Sequence, residues 1–482
     1  MSRATFARFC RSPGMRYLGP AFLVSVGYMD PGNWSTAIAA GSEEGHALLW
    51  VLVASSLMAW LLQTLSARLG IVTGQDLATA SREAYGPRLN RILLALATIA
   101  VIATDLAEIL GMAIGLHLLF ALDMAWCVAL TLCDTLLFLL LSARGLRTLE
   151  SAVIAMIAVV ALAFAAQLAI VAPSGTDIVH GMIVRPLDGH ALYLAIGIMG
   201  ATIMPHNLYL HSALVKTTAS PDLARVRATL KRNARDTGLA LGIAFAVNAA
   251  ILIVAATAFH HDGAAVGGLS DAHRLFGERF GHPAQILFAV ALILCGQSST
   301  LTGALAGQVI LEGHGKLHWK GWQRRLVTRA IALVPAFLTI VLAGDRSLDT
   351  LLVASQVILS LQLGFAVIPL LRLTGNRSVM GRLRPPVGAR ALAWAVALFI
   401  LLLNGKLVLQ TVGELSALPG WAGVAARFGG YPAAIAAGVL LAYLAIVRLK
   451  WPQDENGQRD PSRFSTSPRI DLSTLRHTSS SP

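Results

Sequence analysis

Gly27-Tyr28-Met29-Asp30-Pro31-Gly32-Asn33-Trp34 lies within one apolar stretch of the chain, and Ala201-Thr202-Ile203-Met204-Pro205-His206 lies within another. A proline at the middle of a membrane-spanning helix removes a backbone hydrogen bond and frees carbonyl oxygens. A carboxylate at that depth is costly and is kept where it faces a cavity or a partner. Freed carbonyls, the Asp30 carboxylate, the Asn33 amide and the Met204 thioether together describe a nest for a cation.

Composition puts both stretches in a bilayer. Of 482 residues, 56% are hydrophobic and only 13% charged, with repeated uncharged runs of spanning length. The chain therefore reads as an all-α polytopic membrane protein. Twelve spans are expected, near 17–40, 46–68, 92–118, 123–142, 150–172, 190–215, 238–259, 284–311, 327–344, 349–371, 390–412 and 431–448.

The net charge of +13 would suggest a nucleic-acid partner in a soluble chain. Here the basic residues alternate between loops. Arg3, Arg8, Arg11 and Arg16, then Arg82 and Arg88, Arg144 and Arg147, and the loops 216–235, 316–325 and 377–390 all fall on one side with the tail. The positive-inside rule makes that side cytoplasmic, with both termini, in the cytoplasmic (inner) membrane. Nucleic acid is excluded as a partner, and no obligate protein partner is implied. No cleavable signal is expected, because the first span carries the Asp-Pro-Gly-Asn break and no suitable cleavage site. Cys10, Cys127, Cys133 and Cys295 show no metal-type spacing, so neither a disulfide nor a thiolate site is expected. Residues 452–482 turn to Pro, Ser, Thr and charge and read as a disordered tail after an N-terminal tail over 1–16.

Because spans one and six carry the breaks, residues 17–172 and 190–371 form two equivalent five-helix halves, with two more helices over 390–448. That is the organisation of inverted repeats with a binding site at the midplane. The half-helix ends would aim their dipoles into one cavity.

These motifs carry a resemblance. The Gly27–Trp34 segment resembles the first-helix motif of the Nramp family of divalent-metal transporters, and Met204-Pro205-His206-Asn207-Leu208-Tyr209-Leu210-His211-Ser212 resembles its sixth-helix motif. Gly296-Gln297-Ser298-Ser299-Thr300-Leu301-Thr302-Gly303, with Ala306-Gly307-Gln308 and Glu312-Gly313, is similar to its eighth-helix signature. Gln356-Val357-Ile358-Leu359-Ser360-Leu361-Gln362-Leu363 is similar to its tenth helix. The resemblance covers residues 15–415 and implies a LeuT-like five-plus-five inverted repeat, helices one and six unwound, carrying divalent metal by proton-coupled symport. It implies Asp30, Asn33 and Met204 as metal ligands, the Ala201 carbonyl as another, and the Gly27 carbonyl in some states. Gln356 either lends its carbonyl oxygen or joins two helices.

The chemistry of the donors agrees with a transition metal. Hard Mg²⁺ and Ca²⁺ gain little from a thioether, whereas Mn²⁺, Fe²⁺, Co²⁺ and Cd²⁺ can use one. Mn²⁺ is expected as first substrate with Fe²⁺ beside it, both as cargo, and no cofactor is expected. His206 stands two residues past Met204 and could take up a proton or gate its route, as could His211. Asp105 and Glu108, at i and i+3, share one face of the third helix and resemble the family's acidic proton route, with Arg329 of the ninth helix as counter-charge. The competing reading is a buried ion-pair network that only holds helices together. Ala37, Ala40 and Gly364 depart from the family pattern of Asp, Gly and Pro, which bears on the outer vestibule and the tenth-helix bend. Rival functions are a Mg²⁺ transporter, against which Met204 speaks, a sodium-coupled organic-solute symporter of the same fold, and a metal-sensing receptor. No enzymatic chemistry is expected.

Overall fold

The computed structural model describes residues 20–133, 146–187, 189–216, 222–260, 268–315, 321–343, 347–417 and 421–451. The expected tails over 1–16 and 452–482, with Cys10, lie outside them. Everything described is helix or connection.

The first span is two helices. α1 (Pro20–Val26) passes through a 3₁₀ turn (Gly27–Met29) to Asp30, and α2 (Pro31–Glu44) continues. Asp30 is extended, at φ −79° and ψ 166°. The cause is local, since a proline ring clashes with an α-helical residue before it. Pro31 then opens α2, where its missing N–H is no loss, and the Asp30 side chain caps the new helix by accepting from Asn33 N at 2.7 Å. The same event recurs in the sixth span. α9 (Gly189–Thr202) ends with Ile203 N donating to Met199 O at 2.8 Å, Met204 leaves helical geometry at ψ 117°, and Pro205 opens α10 (Pro205–Leu214).

Between and around these lie α3 (Leu49–Thr73), the short α4 (Leu77–Ala84), α5 (Pro87–Phe120), α6 (Met124–Leu130), α7 (Leu146–Val171) and α8 (Gly175–Gly181). After α10 come α11 (Leu223–Phe259), α12 (Leu269–Phe280), α13 (His282–Gly315), α14 (Gly321–Ala343) and α15 (Ser347–Gly375). α16 (Val387–Ala417) and α17 (Trp421–Ala425) follow, and α17 runs through a π turn into α18 (Tyr431–Ile446). Among the described residues, nine helical stretches are long and apolar enough to cross a membrane. One of them, Pro31–Thr73, joins α2 to α3 through a 3₁₀ turn, and in the fourth expected span only a short apolar helix, Met124–Cys133, is described. α11 starts at Leu223 rather than 238, because Asp222 caps it through Ala224 N and Arg225 N and its charged first turns leave the apolar zone.

The broken helices form the centre and the last two the rim. The apolar window of α9–α10 is 89% buried, whereas that of the last helix is 6% buried. Central packing is close enough to need glycine at Gly111 of α5, where an added Cβ would sit 2.0 Å from Pro31 Cβ. One turn past the first break, the buried Trp34 packs edge-on against Phe164 of α7 at 4.6 Å and Phe288 of α13 at 5.5 Å. Ala37 and Ala40 are buried, at 4% and 0% exposure, so neither lines an open vestibule in this conformation. Gly364 faces α16, where an added Cβ would meet Leu401 at 2.7 Å.

At the end of the bundle toward which α10 runs, that helix is fastened along one line. Ser66 of α3 donates to the Leu208 carbonyl, Ser212 accepts from Leu77 N at 2.9 Å, and Lys216 pairs with Asp76 at 2.8 Å. Positions 208, 212 and 216 recur at the helical repeat. Burial alone would raise the Asp76 carboxyl, but Lys216 and the Thr79 N–H and hydroxyl outweigh it and hold the group below the usual carboxylate range. A depressed carboxylate contributes stability above its unfolded value and loses it as pH falls through the folded one. Asp76→Asn keeps the cap but removes the charge, and we expect a cost of about 2 kcal/mol at pH 7. Melting in detergent should show a constant deficit from pH 8 to about 5 that closes below about pH 4.

Candidate metal-ion site

The two breaks meet through side chains that fill the gaps between them. Gly32 lies against Gln356 of α15, so closely that an added Cβ would fall 1.9 Å from Gln356 Nε2. Gly27 lies against Asn207 of α10, where an added Cβ would fall 2.5 Å from Nδ2, and that Nδ2 donates to the Met204 sulfur at 3.4 Å. Gly200 of α9 sits on the Gln356 backbone carbonyl. The fold thus brings Gly27, Asp30, Asn33, Ala201, Met204 and Gln356 to one buried region.

Polar atoms in this region are left over. Asp30 uses Oδ1 for the α2 cap, while Oδ2 is buried with no hydrogen-bond partner among the described residues. The Asn207 and Gln356 carbonyl oxygens are buried in the same condition. Gln356 spends its amide on neighbouring Ser355, at 3.0 Å, and so makes no inter-helix bond through it. Buried acceptors are ordinarily satisfied, and three such oxygens beside a thioether ask for a positive ligand. Among the described residues no three His, Cys, Asp or Glu side chains cluster as metal ligands. A cation seated here would meet one carboxylate, neutral oxygens and sulfur.

Backbone freed by the first break is partly claimed. Asn248 of α11 donates to the Tyr28 carbonyl at 2.7 Å, and the Cys295 thiol of α13 to that of Met29. Sequence reading gave neither residue a role, and neither belongs to a local motif. Asn207 stands in the sixth-helix motif, an amide one helical turn past Met204.

The two histidines face different helices. His206 meets Thr104 of α5 at 3.1 Å. The Thr104 hydroxyl donates to Ala100 O, so the imidazole N–H is the donor in that contact. Thr104 directly precedes Asp105, and α5 presents Asp105 and Glu108 buried at 5% and 0% exposure, with Glu108 against Gly303 of α13. His211 instead donates to Gln63 of α3 at 2.9 Å, and Gln63 donates to the Tyr28 hydroxyl at 2.6 Å. Arg329 falls on α14, but its side chain lies outside the described residues. At the opposite end from the α10 fastening, His190 of α9 meets Glu43 of α2 at 2.8 Å, joining the outer ends of the two broken spans.

A family model described as "Natural resistance-associated macrophage protein-like" matches residues 21–410. The "Divalent metal cation transporter MntH" of Xanthomonas campestris is 48% identical over 401 residues, 82% of this chain and 90% of that protein. A crystal structure of the Eremococcus coleocola manganese transporter superposes with TM-score 0.81 at 34% identity, covering 93% of this chain and 95% of that one. A nucleobase-cation-symport-1 family transporter in a closed conformation matches at TM-score 0.54 and 14% identity, over 88% and 92% of the two chains, which speaks for a common fold alone.

Gly32→Ala should overpack the gap at a cost of about 2 kcal/mol. Adding Gln356→Ala should recover most of that loss, and a double-mutant cycle of melting temperatures reads the coupling. Additive losses would mean that the two residues do not share a gap.

Proposed function

The chain belongs to the Nramp family, and on that footing we propose that it takes up divalent transition metal, Mn²⁺ first and Fe²⁺ and related ions beside it, coupled to protons. One observation carries the reading. Asp30 Oδ2, Asn207 Oδ1 and Gln356 Oε1 are buried without hydrogen-bond partners among the described residues, around two proline-made breaks that also hold a thioether. The names of the relatives, a divalent metal cation transporter and a manganese transporter, agree with it.

In this reading Asp30 supplies the charge, and Asn33, Gln356 and the Ala201 carbonyl supply neutral oxygens. Met204 supplies the soft donor that sets Mn²⁺ and Fe²⁺ apart from Mg²⁺ and Ca²⁺. The Gly27 carbonyl joins in some states. Asn207 is a positioning residue, holding the Met204 sulfur toward the site. A divalent ion competes with a proton for the Asp30 carboxylate. The proton passes by His206 and Thr104 to Asp105 and Glu108, with Arg329 as counter-charge, and His211 serves a branch through Gln63.

Residues 17–172 and 190–371 are the two repeats that rock about the site, with 390–448 outside them. The protein lies in the cytoplasmic membrane with both termini inside. The fastening along α10 then closes the cytoplasmic end, and opening inward means releasing Ser66, Leu77 and Asp76 from α10 and the residues after it. No covalent step and no cofactor is called for.

Proteoliposomes with internal pH recorded test the reading. Asp30→Ala should abolish Mn²⁺ uptake and the accompanying acidification; undiminished uptake overturns the site. Met204→Ala should keep part of the Mn²⁺ uptake but lose roughly tenfold in discrimination against Ca²⁺ and Mg²⁺, about 1.4 kcal/mol. Unchanged discrimination would make Met204 a packing residue, and Mg²⁺ carried as well as Mn²⁺ by the unmutated protein would favour the Mg²⁺-transporter alternative.

A further inference from the structure

At the end of the bundle where Trp451 lies, α15, α16 and the end of α18 border an open cleft of about 1120 Å³, apart from the candidate metal-ion site. Four guanidinium groups line it: Arg372 from α15, Arg384 from the connection, Arg390 from α16 and Arg448 after α18. No carboxylate lines the cavity, and none of the four arginines is in an ion pair with a described carboxylate. Arg372 gives one N–H to the Val447 carbonyl. Its Nε, and that of Arg390, are nonetheless buried with no partner among the described residues. A second cavity of about 360 Å³ shares Arg384 and adds Arg68, Arg227, Lys231 and Arg382.

Like charges gathered around a shared cleft repel one another unless an anion lies between them. The remaining wall indicates which anion. Trp394 and Ile446 also line the larger cavity. From Trp394, exposed apolar side chains continue along α16 at the helical repeat through Leu398 (57%) and Leu402 (63%), while α18 exposes Ile446 (76%) and Val439 (64%). A basic pocket thus opens onto an apolar track that runs into the bilayer.

We propose that this cleft binds an anionic phospholipid, its phosphodiester among the arginines and its acyl chains along the α16–α18 track. Planar guanidinium groups suit a phosphodiester because two N–H groups can bond its oxygens in parallel, and basic pockets between membrane helices hold anionic headgroups elsewhere. The site is separate from the metal site and independent of the transport reading.

The test uses the delipidated full-length protein in detergent, titrated with phosphatidylglycerol or phosphatidylcholine of identical acyl chains and read by native mass spectrometry and melting temperature. Phosphatidylglycerol should bind saturably, at least tenfold more tightly than phosphatidylcholine, and raise the melting temperature. Arg384→Gln with Arg448→Gln, both exposed and outside the packed core, should weaken that binding about thirtyfold while leaving the lipid-free melting temperature unchanged. Equal binding of the two lipids, or undiminished binding by the double variant, overturns the proposal. So does inorganic phosphate that reproduces the full stabilisation at millimolar concentration, since the site would then take a free anion.

Discussion

The restriction that a proline places on the residue before it governs this structure. In water a helix interrupted at such a pair would fray and hydrate. In hydrocarbon the loose backbone groups have no such outlet and must be met by protein or by cargo. Asp30 and Met204 are the residues before Pro31 and Pro205, so the steric rule that opens each helix also puts a carboxylate at one opening and a thioether at the other. Other packing follows from keeping those openings from collapsing. Gly111 makes room for Pro31, Gly32 for Gln356, and Gly27 for Asn207, while Trp34 is wedged between Phe164 and Phe288.

Much of this was legible in the sequence, because hydrocarbon leaves few choices. Apolar runs of bilayer length read as helices, and a proline beside an acid or a thioether within such a run reads as a break. The residues that brace the first break were not legible, since their significance lies in distance across the bundle. Asn248, Cys295 and Gln63 come from helices remote in sequence and reach the first break only after packing. Boundaries were read short where a helix leaves the membrane, as at Leu223, because hydropathy marks the apolar zone and not the hydrogen bonds that carry α11 beyond it. The two histidines illustrate another limit. They share a helix and a motif, yet His206 turns to α5 and His211 to α3.

The two ends of the broken spans are held by different means. One end has two hydrogen bonds and a largely buried ion pair in line along α10. The other has the exposed Glu43–His190 pair, with side chains 40% and 59% exposed, a class of contact worth little in water, and the His260 contact with the Ser42 carbonyl at 3.0 Å. In this conformation the ion pair on the side of α10 is the more buried of the two. The rim helices α16 and α18 take little part in either, which leaves their outward faces to the lipid.

Asp30 serves two purposes with one carboxylate, and the division limits what it can hold. Oδ1 is committed to Asn33 N, so a cation is offered a single unengaged oxygen, not a pair. Ca²⁺ favours six to eight oxygens and readily takes a carboxylate by both, whereas a smaller ion is content with one. To grip Ca²⁺ in two-pronged fashion the protein would have to uncap α2. On the proposed reading the helix cap would thereby favour a smaller ion, as the sulfur would favour a softer one.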